Sequence, residues 1–163
     1  MKKYYLITLS LVFFAGIFTS CSNSDEEEYV ELSPVSVDLT KVPYEKLSDY
    51  NFFVGEMKNQ EPSADVLIYQ PASSLFTDYA HKKRFIWMPK GTKSTFNTDA
   101  KVLELPVGAA LIKNFYYDNV QNTTPSGSTR IIETRIMIRK SSGWIFAEYV
   151  WNQEQTEAYL DMA

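Results

Sequence analysis

Apolar and polar residues alternate most regularly in RIIETRIMIRKSSGWIFAEYVW, residues 130–151. Ile132, Thr134, Ile136 and Ile138 interleave with Glu133, Arg135, Met137 and Arg139, a period of two that predicts a strand with one buried face. Ser141, Ser142 and Gly143 supply turn chemistry, and Trp144 to Trp151 returns as a second strand. The segment is expected to be a β-hairpin. Aromatic residues fall on both faces of the return strand, which predicts a central strand covered on both sides.

Shorter patterns precede it. In PYEKLSDYNFF, Leu47, Tyr50 and Phe53 share a spacing of three, which predicts a short helix stopped by Gly55 and the polar run after it. VLIYQPASSLF is apolar but broken by Pro71, so it reads as an edge strand or extended loop. KRFIWMPKGTK is a strand closed by Pro89 and Gly91, a turn pair. Residues 109 to 117, after Pro106 and Gly108, form another strand. NVQNTTPSGST is a polar loop carrying the sequon Asn122-Thr123-Thr124, a pattern that chance supplies easily. NQEQ is a polar turn, and TEAYLDMA alternates again up to the last residue, as if a strand continued into a longer chain.

The N-terminal pattern is of another kind. Lys2 and Lys3 precede a charge-free apolar run over residues 4 to 18, followed by Thr19, Ser20 and Cys21. That order predicts a secretory signal, and the run is shorter than the roughly 20 residues a spanning helix needs. Phe18-Thr19-Ser20-Cys21 resembles a bacterial lipobox, with Phe18 in place of the commoner Leu. Cys21 is the only cysteine and has no internal partner for a disulfide. It is expected to be lipidated and to anchor the protein to a membrane, each buried methylene contributing about 0.8 kcal/mol. The acidic run after it, SNSDEEE, reads either as a solvated spacer or as a signal resembling the surface-export signal of Bacteroidetes lipoproteins. The organisation expected is a signal peptide over residues 1–20, a flexible acidic tether over 21–42 and one domain over 43–163.

Composition narrows the class. Aromatic residues make up 15% of the chain, with eleven Tyr, ten Phe and three Trp, a supply that suits pleated sheet. The fold class expected is mainly β, a β-rich α+β domain built on an antiparallel sheet or sandwich with one short N-terminal helix. A formal net charge of −4, more negative once Lys2 and Lys3 are removed, argues against nucleic acid, whose phosphates need Lys and Arg.

Candidate chemistry is sparse. His81, the single histidine, lies in a charged turn beside Lys82, Lys83 and Arg84. It lacks the partners for a zinc site or a hydrolase triad. Asp65, Asp78, Glu104 and Glu133 are scattered and predict no acid/base pair. Trp87, Trp144 and Trp151 fit a buried core or a sugar-stacking platform, and Lys82-Lys83-Arg84 fits a solvated face or a dock for an acidic partner. No catalytic residue, metal ligand or cofactor-binding residue is expected, and no motif points to an enzyme.

Five blocks carry a resemblance: LSDYNFF (47–53), SLFTDYAHKKRFIWMPKGTK (74–93), LPVGAALIKNFYY (105–117), RIIETRIMIRKSSGW (130–144) and YVWNQEQTEA (149–158). Together they resemble the N-terminal half of a family of bacterial envelope dihaem c-type cytochromes. The strand containing Val107, Gly108, Ile112, Lys113 and Phe115-Tyr116-Tyr117, followed by the Gly143-Trp144 hairpin, is also similar to the sheet of the P-460 cytochromes. The first resemblance implies a non-haem module of a cytochrome-like outer-membrane lipoprotein, serving assembly or electron-transfer docking. Haem c would then lie in a downstream segment, because covalent haem needs a Cys-x-x-Cys-His motif and this chain has one cysteine. The alternative expectation is a surface-exposed lipoprotein that binds glycan or protein.

Overall fold

In a computed structural model, residues 35–73, 76, 78–121 and 127–161 are described. The signal peptide, Cys21, the acidic run and the sequon lie outside them. The described residues form one six-stranded antiparallel sheet with strands in chain order: β1 Leu67–Ile68, β2 His81–Trp87, β3 Ala110–Val120, β4 Ser128–Lys140, β5 Gly143–Trp151 and β6 Ala158–Leu160. The mainly β class is realised as a single open sheet, and no second sheet packs on it among the described residues. The expected N-terminal helix is a single 3₁₀ turn, Leu47–Tyr50, followed by another at Met57–Asn59. Asn51, in the left-handed region, ends the first turn, its amide donating to the Ser48 carbonyl.

One face of the sheet is covered. Strand alternation turns Phe85, Ile112, Ile136, Ile138 and Tyr149 inward, where the N-terminal segment lays Leu47, Tyr50 and Phe52 over them. Each such fully buried side chain contributes about 1.5–3 kcal/mol relative to exposure. The packed region reaches back into the expected tether: Val42 is buried, and Val35, Val37 and Leu39 pack against the core. The Ser36 amide donates to the Tyr50 carbonyl.

Polar groups inside this layer are matched. Trp151 Nε1 donates to Thr134 Oγ1 at 2.9 Å, Thr134 Oγ1 to Asn114 Oδ1 at 2.7 Å, and Asn114 Nδ2 to Gln60 Oε1 at 3.1 Å. Tyr149 donates to the Tyr44 carbonyl and shares a 2.9 Å hydroxyl contact with Tyr50. Burial first, then the Tyr50 hydroxyl, pushes the Tyr149 phenol far above its ordinary pKa. These tyrosines hold their protons and brace the layer.

The main hairpin forms as expected, with Lys140 opposite Gly143 across the turn, but the buried parity at its start is corrected. Phe115 pairs with Glu133 while Tyr116 pairs with Ile131, so Ile132 is the extra residue of a β-bulge. Ile131 is buried and Ile132 is exposed. The expectation that β5 is covered on both sides is also overturned: Tyr149 and Trp151 are buried, whereas Phe146 and Val150 face outward. The outer edge of β6 is sealed by a bridge between Lys46 and Tyr159 and by the Leu160 amide donating to the Glu45 carbonyl.

Candidate functional site

The uncovered face of the sheet is where this chain places its unusual chemistry. Strand register sets its side chains in rows running across the strands. Leu67, Ile86, Leu111, Met137 and Phe146 stand opposite one another in sequence from β1 to β5. The neighbouring row runs Arg84, Lys113, Arg135, Glu148, and the next Lys82, Phe115, Glu133, Val150, Tyr159. An apolar row therefore borders a row with three cations in adjacent strands. An open depression of about 500 Å³ lies over both, bordered by Tyr69, Arg84, Leu111, Met137, Phe146 and Glu148. Phe146 is 71% exposed and Leu67 61%.

Like charges directly opposite one another across strands are destabilising, by about 0.2–1 kcal/mol a pair. The Lys113 pKa registers this. Burial first, then the charges of Arg135, Arg84 and Lys82, pull its ammonium below the ordinary lysine value. Lys113 Nζ lies 4.6 Å from the Phe115 ring centroid and Arg135 Cζ 5.1 Å from it, so the ring's negative face relieves part of the strain. Arg135 is also paired, its Nη2 2.7 Å from Glu133 Oε1 and its Nε 3.5 Å from Glu148 Oε2. Glu133 is pushed above its ordinary pKa by burial and by its hydrogen bond with Glu148, against the pull of Arg135. The face is a compact mosaic, positive over β2 to β4 and negative at β5.

The sequence candidates are dispersed by this geometry. His81 sits near the start of β2, stacks on Tyr116 at 5.4 Å and places Nε2 3.7 Å from Asp118 Oδ2. Among the described residues no three His, Cys, Asp or Glu side chains gather as a metal site. The cluster Lys82-Lys83-Arg84 is divided by strand alternation: Lys82 and Arg84 belong to the open face, whereas Lys83 Nζ donates to the Gln60 carbonyl on the covered side. The three tryptophans make no platform. Trp151 is buried, Trp87 packs beside the core, and Trp144 lies on the open face with Arg139 Cζ 5.8 Å from its ring. Of the scattered carboxylates Asp65, Asp78, Glu104 and Glu133, only Glu133 belongs to the open face. Lys113, Arg135 and Glu148 carried no sequence signal, because they become neighbours through pairing between strands.

No family model, no curated protein and no solved structure matches this chain.

Proposed function

We propose that this chain is a lipid-anchored envelope protein whose β domain is a docking module that engages a protein partner through the open face of its sheet. The observation that carries the reading is the alignment of Arg84, Lys113 and Arg135 across three adjacent strands, beside an apolar row ending in the exposed Phe146. Folding alone disfavours that alignment. A binding surface accounts for it, since exposed aromatic and arginine side chains are the groups that anchor protein partners. The lipobox-like Cys21 supports the anchor. The residue blocks that resemble the dihaem cytochrome family are the ground for a place beside an envelope redox protein, with this chain as the non-haem module for assembly or electron-transfer docking. Of the alternative ligands, protein fits better than glycan, because the tryptophans are divided between the two faces.

Placing a photoreactive phenylalanine analogue at position 146 of the full chain, in cells, tests this. Discrete protein adducts are expected from position 146 and none from the exposed Val102 position. A chain that yields no adduct at 146 removes the docking reading.

A further inference from the structure

We infer that the open face pairs with a second copy of this same chain, closing two open sheets into a two-layer sandwich. The inference rests on the docking reading above and names its partner. The pattern of the face is antisymmetric about β4. In its charged row, Arg84 on β2 and Lys113 on β3 lie on one side of Arg135, and Glu148 on β5 on the other. Asp161, whose amide donates to the Glu148 carbonyl, continues the acidic side.

A two-fold axis running along β4, between two copies laid face to face, reverses the order of the strands and preserves the rows. Under that rotation Lys113 of one copy meets Glu148 of the other, and Arg84 falls toward Asp161. Leu111 meets Phe146, Phe115 meets Val150, and Met137 meets itself. At the axis the two Arg135 side chains bring their own Glu133 partners, and Arg139, on the other side of Met137, lies against the Trp144 ring of its own chain. Stacked sheets cross at about −30°, which confines the close match to β3, β4 and β5, where the row chemistry is most complete. This is the isologous contact of a cyclic dimer, each patch serving as its own complement. A uniformly acidic partner would satisfy Arg84 and Lys113 but would meet Glu133 and Glu148 with like charge. An anionic membrane surface fails for the same reason.

The test uses the full chain in native membranes and in detergent. Met137→Cys, treated with a short bifunctional thiol reagent that spans the roughly 10 Å between stacked sheets, is expected to give a cross-linked species of twice the chain mass. Val102→Cys, and the unsubstituted chain with its Cys21, are expected to give none. Lys113→Glu alone and Glu148→Lys alone should each abolish the dimer seen by sedimentation, and the double exchange should restore it. Within one chain these two residues are separated by Arg135 in the row, so restoration reports a contact between copies. Far-UV circular dichroism confirms that each variant folds, and if either single variant unfolds the Met137→Cys result decides alone. A monomer at every position and condition, or a double exchange that stays monomeric, overturns the inference. If position 137 is trapped with a different polypeptide, the docking reading stands and the second copy falls. If neither position 137 nor position 146 captures anything, both fall.

Discussion

Thr134 shows how much one side chain carries in this sheet. Its hydroxyl accepts from Trp151 Nε1 and donates to Asn114 Oδ1, so Thr134→Val preserves shape and leaves two buried groups unmatched. Each orphaned group is expected to cost about 1–3 kcal/mol, measured as a lower denaturant midpoint at unchanged slope. Glu133 gives a pH dependence of definite sign. Its native pKa is raised, so the folded state binds the proton more tightly than the unfolded chain does. The stability this contributes is present in acid and is lost as pH rises from the ordinary glutamate value through the raised one. Glu133→Gln removes that loss. As pH rises from the ordinary glutamate value of about 4.3 through the raised native one, the melting temperature of the variant relative to the parent should rise. The inward place of Thr134 was legible from alternation alone. Its partner Asn114 and the more distant Gln60 were not, because polar residues 20 and 54 positions apart are joined only by folding.

Among the elements, the β4–β5 hairpin was the most legible, because its alternation and its Ser-Ser-Gly turn agree. The bulge at Ile132 was hidden by the adjacent pair Ile131-Ile132, which offers an apolar residue to the core in either parity. The covering of β5 was misread because aromatic content on both faces does not reveal which face a second layer will occupy. Gly108 governs how β3 begins. Its amide donates to the Arg139 carbonyl, and the Arg139 amide returns a bond to the Ala109 carbonyl. Its φ is +93°, and a Cβ there would stand 2.7 Å from Pro89 Cγ. Gly91 also has positive φ but faces open space. Alanine at either glycine is expected to cost roughly 1–2 kcal/mol for the backbone. At Gly108 the clash adds a further 1–3 kcal/mol or so, so Gly108→Ala should melt well below Gly91→Ala in parallel thermal scans.

For the whole molecule, the β class was readable from the supply of Tyr, Phe, Ile and Val, but the functional face was not. Lys113, Arg135 and Glu148 acquire meaning as a row only after two strand pairings fix their register, and a one-residue slip would turn each of them to the other side of the sheet. The seal along β6 carries a further consequence. The Glu45 carbonyl and the Lys46–Tyr159 bridge clasp the last strand, while Glu157 accepts from the Ser48 hydroxyl. Proteolytic clipping before Glu157 would undo this clasp and bare the flank of β5 at Tyr149, Val150 and Trp151, extending its open edge into a template for uncontrolled strand addition. Shortened chains would then gather into aggregates, leaving only intact ones to meet partners in orderly fashion.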